Sequence, residues 1–195
     1  MDKQQITVFD FDGTLTVKDT LFEFVIFSKG RWALFLGLIC CSPYLLACLL
    51  HLYPNGKAKE KLFAYFFRDM PYEQFRQLGR DFSSRIESIE RLDVVSRLHS
   101  CVAEGQKVYV ISASIREWVA PWCERQGVAD VLTTEVEVLE GRLTGHFSTP
   151  NCNGEEKVNR FIAQEPCRDA YRLCVYGNSG GDEALMAIAD RAVRV

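Results

Sequence analysis

Short apolar runs at residues 6–11, 107–111, 131–134 and 171–176 alternate with polar turns and with helical periodicity at residues 115–126, 155–164 and 183–190. A last run, 192–195, closes the series. Strand–helix alternation forces right-handed crossovers and therefore a parallel sheet covered by helices. The expected class is α/β, a Rossmann-like parallel sheet flanked by helices. Within it, residues 136–147 read as a hairpin turning at Glu140-Gly141. The 195 residues suffice for one full-sized domain with an insertion. Open parallel sheets bind ligands beyond the carboxyl ends of their strands. That rule singles out residues 10–14, 112–114, the stretch before Lys157, and 177–182.

The alternation is interrupted between the first strand and the second. Residues 22–91 look helical throughout, and residues 32–53 contain no Asp, Glu, Lys or Arg. A run of that length qualifies as a transmembrane candidate. A single span fails on topology, because the strands before and after it must share one sheet. Ser42-Pro43 is expected to divide the run into two helices of about ten residues, each reaching only ~15 Å. The expected organisation is a core of residues 1–18 and 92–195 with an inserted helical cap, 19–91, whose own core holds Phe63, Phe66, Phe67 and Phe75. The apolar run then either buries against itself or a partner chain, or dips into a membrane surface or lipid tail.

Composition narrows the function classes. Apolar residues at 48% and charged residues at 25% exclude wholesale disorder, and a net charge of −3 supplies no general field for nucleic acid. The eight cysteines form no C-x-x-C and no zinc-type spacing with histidine, which suits free thiols in a reducing compartment. The first ten residues lack the apolar stretch of a secretory signal. A cytoplasmic protein is expected, with peripheral membrane contact through residues 32–53 as one reading of that run. His51, His99 and His146 are isolated and read as structural.

Asp10-Phe11-Asp12-Gly13-Thr14-Leu15-Thr16 follows the first strand. Two carboxylates two residues apart at a strand end can aim into one crevice, where like charges raise one pKa unless a cation intervenes. This suits a carboxylate nucleophile beside a carboxyl acid/base, held together by a hard cation such as Mg2+. Gly13 permits close approach of the backbone to a ligand, and the Thr14 hydroxyl can donate to it. Ser112 ends the second strand with its hydroxyl not needed by the cap. Ser114 and Glu117 read as a capping box for the following helix. Asn153 is a candidate cap for the helix beginning at residue 155, and Lys157 lies in its first turn, against the dipole, so it either pairs with a nearby acid or binds an anion. Gly177-Asn178-Ser179-Gly180-Gly181-Asp182 makes a tight loop at the last such strand end.

Together these stretches resemble the four motifs of the haloacid dehalogenase superfamily of phosphatases. The residues around Gly141 to Gly145, Cys152 and Gly154-Glu155-Glu156-Lys157 resemble its subfamily IB, which includes phosphoserine phosphatase and phosphatidylglycerophosphatase C. The resemblance implies that Asp10 is the nucleophile and Asp12 the general acid, then base. It implies phosphate binding by Gly13, Thr14, Ser112, Ala113 and Lys157, and Mg2+ at Asp10, the Asp12 carbonyl, Asn178 and Asp182. Asn178 departs from the pattern, since the family places an acid there; Asp182 would hold the metal through water or orient Lys157. Asp19 lies where phosphoserine phosphatases place an acidic recognition residue, and Lys57, Lys59 and Lys61 lie near their substrate-binding arginine. Lys57 and Lys61, four apart, share one helix face and are the expected cap contacts.

The implied activity is Mg2+-dependent hydrolysis of a phosphomonoester through an aspartyl-phosphate. The apolar insert and the lysines favour a phospholipid phosphate such as phosphatidylglycerophosphate. Phosphoserine or another small metabolite phosphate is the alternative substrate, followed by phosphotransfer to an alcohol and by phospholipid binding without catalysis. Oligomeric state is not legible in the sequence.

Overall fold

Strand β1 (Gln4–Phe9) lies at the centre of a five-stranded sheet, in a computed structural model that describes residues 3–195. Its neighbours are β2 (Lys107–Ile115) on one side and β6 (Tyr171–Gly177) on the other. Outside these lie β3 (Asp130–Thr134) and β7 (Arg191–Arg194), giving the order β3-β2-β1-β6-β7 with every pairing parallel. The expected α/β sheet is thus observed.

The alternation of side chains along each strand sorts the core into two layers. Ile6, Val8, Tyr109, Ile111, Leu173 and Val175 face α7 (Glu155–Gln164) and α8 (Glu183–Ala187). Phe9, Val108, Val110, Cys174 and Tyr176 face α5 (Leu92–Ala103) and α6 (Arg116–Arg125). Strands are added outward from β1, first toward β2 and β3 on one side and then toward β6 and β7 on the other. The loops after these three strands therefore open into one crevice.

Four helices lie between β1 and α5. They are α1 (Thr20–Lys29), α2 (Arg31–Leu49), α3 (Asn55–Phe67) and α4 (Tyr72–Arg85), followed by a 3-10 turn at Ile86–Ile89. The segment enters and leaves through a short stem: Val17 N–H donates to the Ile89 carbonyl at 2.8 Å, and Arg91 N–H to the Leu15 carbonyl at 2.8 Å. Its interior is aromatic. Phe24 of α1 stacks on Trp118 of α6, centroids 4.5 Å apart, and contacts Phe67, Phe75 and Phe82. The hairpin of β4 (Val136–Leu139) and β5 (Arg142–Phe147) turns at Glu140 and Gly141, both with positive φ, as expected. It packs against this helical segment, with Phe147 on Phe63 and Leu143 bonded to Asp69 and Met70.

One expectation is overturned here. Residues 31–49 form one continuous 19-residue helix with Pro43 inside it. Proline removes one hydrogen bond and crowds the carbonyl four residues back. Leu38, Cys41 and Leu45 continue the same inward stripe past the proline and pack on the common core. Gly37 admits the Phe66 ring, which a Cβ would meet at 2.1 Å. The inward face is thereby held on both sides of the break. The outward face is just as apolar: Trp32, Phe35, Leu36, Ile39, Leu46 and Leu49 are exposed.

Phe24→Ala removes a fully buried ring at the junction of α1, α3, α4 and α6. It is expected to lower unfolding free energy by about 3–5 kcal/mol in urea denaturation; a loss under about 1 kcal/mol would show that this aromatic junction is not a stability centre.

Candidate active site

Asp10 is the first residue beyond β1, and its N–H still bonds the Tyr176 carbonyl of β6 at 2.9 Å. Its side chain is therefore aimed by the sheet itself. Lys157, in the first turn of α7, reaches the same point from the opposite layer. Its Nζ lies 2.6 Å from Asp10 Oδ1 and 2.6 Å from Asp182 Oδ1, all three groups buried. The loop before α7 and the loop after β6 are joined, Gly154 N–H donating to the Gly181 carbonyl at 2.9 Å.

Burial pushes the Asp10 carboxyl above its ordinary range, opposed by the Lys157 charge and reinforced by Asp182. Asp182 sits below its ordinary range. Burial raises it, but the Lys157 charge and the donors of the loop outweigh that. Lys157 is raised although burial opposes its charge, because two carboxylates hold it.

Asp182 spends its second oxygen on the loop, accepting from Asn178 N–H at 3.1 Å, Ser179 N–H at 3.0 Å and the Ser179 hydroxyl at 3.0 Å. It orients Lys157 and shapes the loop; it is not a free metal donor, and it does not cap α8. Asp12 is held by Thr20 and Ser114 (N–H···Oδ1 2.9 Å and O–H···Oδ1 2.7 Å from Thr20). Burial raises the Asp12 carboxyl, and the Asp19 charge adds to it.

Several sequence expectations change. The Thr14 hydroxyl is fully buried and donates to Asp10 Oδ2 at 3.0 Å, so it positions Asp10 and does not face a ligand. Gly13 has φ +79°, and a Cβ there would sit 2.0 Å from the Asn178 amide nitrogen; the glycine serves that close approach. Ser114 does not cap α6, whose first residue is preceded by Ile115 with no side-chain cap. Strand β2 runs on through the serine pair, and Ser114 turns to Asp12 while Ser112 Oγ accepts Ser114 N–H at 3.0 Å. Gly154, not Asn153, precedes α7, with no side-chain cap.

Asp10, Asp12, Ser112, Ala113, Lys157 and Asn178 line one cavity of about 310 Å3, walled on the helical side by Asp19, Leu21, Phe22, Leu45, Lys59 and Leu62. Asp19 also caps α1, accepting from Leu21 N–H at 2.9 Å. Lys57 and Lys61 are elsewhere: Lys57 pairs with Glu60, and Lys61 lies over the Tyr44 ring. The cation at the cavity is Lys59, whose Nζ donates to the Ala113 carbonyl at 2.9 Å. The missed signal was the stripe Asn55, Ala58, Lys59, Leu62, whose spacing of three, four and seven marks one helix face.

Three carboxyl groups (Asp10, Asp12, Asp19) and two ammonium groups (Lys59, Lys157) line this cavity, and Asp182 holds Lys157 from behind. A phosphate dianion meets a negative excess there, which a divalent cation would reverse. The donors suit a hard ion: an Asp10 carboxylate oxygen and Asn178 Oδ1 lie on either side of the Thr14 hydroxyl, at 3.0 and 3.5 Å. Among the described residues no three His, Cys, Asp or Glu converge as a metal site. Mg2+ would rely on one carboxylate, neutral oxygens and water. Asn178→Asp adds a charged ligand and is expected to tighten Mg2+ about tenfold in calorimetric titration. Unchanged or weaker binding would remove Asn178 from the ligand set.

Comparison with known proteins agrees with this fold. Protein CicA of Caulobacter vibrioides is 31% identical over 188 residues, covering 95% of this chain and 83% of the relative. A protein of unknown function from Bordetella pertussis Tohama I superposes with a TM-score of 0.81 at 18% identity, covering 98% of this chain and 90% of the other. A phosphoserine phosphatase solved as a phospho-aspartyl intermediate analogue gives 0.67 at 17% identity, covering 99% and 87%. The haloacid dehalogenase-like hydrolase model matches residues 7–187, and the chain belongs to that family.

Proposed function

We propose that this phosphatase hydrolyses phosphomonoesters through an aspartyl-phosphate on Asp10, and that its substrate is a phosphorylated lipid. The observation that carries the reaction is the buried Lys157 ammonium 2.6 Å from Asp10 at the floor of the cavity. In the first step an Asp10 oxygen bonds phosphorus while the bond from phosphorus to the alcohol oxygen breaks, and Asp12 gives that oxygen its proton. In the second, Asp12 takes a proton from water as the water oxygen attacks phosphorus. Asp10 is released as carboxylate, with inorganic phosphate. Lys157 and the Ser112 hydroxyl face the equatorial oxygens and offset their charge. Mg2+, held by Asp10, the Asp12 main-chain carbonyl and Asn178, would supply further charge neutralisation. Residues 19–91 act as the cap over residues 1–18 and 92–195.

The lipid reading rests on the walls of the cavity. Leu21, Phe22, Leu45 and Leu62 offer apolar surface beside the Lys59 cation. Leu45 belongs to α2, whose outward face is exposed and whose mean hydropathy is 2.0. Both ends of α2 return to one body built on one sheet. On this reading the helix lies along a membrane surface, its exposed apolar face in the lipid and its other face on the protein core, and brings the cavity to the lipid headgroup. Phosphoserine is the second reading, favoured by Asp19 at the cavity wall.

Asp10→Asn is expected to cut phosphate release at least about a thousandfold in a protein that circular dichroism shows to be folded; retained turnover would refute Asp10 as nucleophile. Phosphatidylglycerophosphate in mixed micelles is expected to exceed phosphoserine in kcat/KM by at least about tenfold, about 1.4 kcal/mol of preferential transition-state binding. Ile39→Glu with Leu46→Glu should abolish that preference without slowing a soluble aryl phosphate. A clear preference for phosphoserine would overturn the lipid assignment.

A further inference from the structure

A carboxyl group that hands a proton to one leaving oxygen needs one of its own oxygens kept for that purpose. We infer that Thr20, the first residue of α1, is the positioning residue that achieves this: it fills Oδ1 of Asp12 and leaves Oδ2 facing the cavity. The inference rests on the phosphatase reading above.

Two donors of one residue converge on Asp12 Oδ1, the Thr20 N–H at 2.9 Å and the Thr20 hydroxyl at 2.7 Å. A carboxylate oxygen has two lone pairs, so Oδ1 has none to spare. Oδ2 accepts the Ser114 hydroxyl and, among the described residues, no second donor. Asp12 lines the cavity, and its remaining lone pair on Oδ2 is the one left for a substrate oxygen.

The Thr20 hydroxyl is itself locked. The indole N–H of Trp118 donates to its oxygen at 3.0 Å, and indole nitrogen can only donate. Its single hydrogen then goes to the nearer and charged acceptor, Asp12 Oδ1 at 2.7 Å, in preference to Ser114 Oγ at 3.0 Å. Trp118 cannot turn away, being fully buried and stacked on Phe24 of α1, the helix that Thr20 begins. The Ser114 hydroxyl closes the arrangement 3.0 Å from that of Thr20. The orientation of Asp12 is thus set by the helical insert, through its first residue, as well as by the loop that carries Asp12.

The test separates positioning from mere support of the fold. A good leaving group departs without protonation; an alkoxide does not. The ratio of kcat/KM for n-octyl phosphate to that for p-nitrophenyl phosphate isolates the step in which the leaving oxygen is protonated. Thr20→Val keeps shape and backbone N–H but removes the hydroxyl. It is expected to lower kcat/KM about a hundredfold for the alkyl ester and no more than about tenfold for the aryl ester, with Thr20→Ser restoring the alkyl rate. Equal losses on both esters, or no rescue by serine, would overturn the inference and leave the phosphatase reading standing. A wild-type protein inactive on both esters would overturn that reading, and this inference with it. Should Thr20→Val fail to fold, Trp118→Phe keeps the ring, removes the lock, and must show the same selective loss on the alkyl ester.

Discussion

The site depends on one ammonium group shared by two carboxylates out of contact with water. Breaking such a pair by removing one partner typically costs about 3–5 kcal/mol, because an uncompensated charge stays behind. The Lys157 centre ties three distant stretches together: the end of β1, the first turn of α7 and the loop after β6. Each contributes one group, and none is satisfied without the others. A cation in the first turn of a helix is mildly unfavourable locally. Here the local cost is outweighed by two anions at 2.6 Å.

Around this centre the protein divides its labour by distance from the cavity. Asp182 holds the Lys157 ammonium and Thr14 holds the Asp10 carboxylate, both from behind the cavity wall. Thr20, Trp118 and Ser114 perform the same service for Asp12. Arg91, on the outgoing side of the stem, donates to the Gly13 carbonyl at 3.0 Å. The loop between β1 and the insert is therefore fixed from both ends of the inserted segment, and its two carboxylates share a rigid frame.

The sheet was legible because period-two apolar runs and glycine-bearing turns are local signals, and the four strand-end stretches converge as their placement beyond strands requires. What escaped had physical reasons. Pro43 was read as a break because its effect on hydrogen bonding is local, whereas the packing of Leu38, Cys41 and Leu45 that carries α2 past it is tertiary. Ser114 and Glu117 match a capping box in spacing, but β2 extends through Ser114, Asp12 claims its hydroxyl, and Glu117 accepts from Tyr72 at 3.1 Å. Lys57 and Lys61 were preferred to Lys59 because, four apart, they share one helix face; the stripe of Asn55, Ala58, Lys59 and Leu62 is the face that meets the cavity. Thr20 gave no signal, since a threonine at a helix start looks like ordinary helix initiation.

Everything between Val17 and Ile89 hangs from the sheet by a stem a few residues wide. The register of β1 against β2 and β6 owes nothing to that segment's length or composition. Evolution can therefore lengthen, shorten or grease the insert as a module, changing which molecules reach the crevice while the strand ends beneath stay in place. That freedom carries two tolls: a replacement module must still lay an apolar face on Trp118 and Phe147 and begin with a hydroxyl able to meet Asp12.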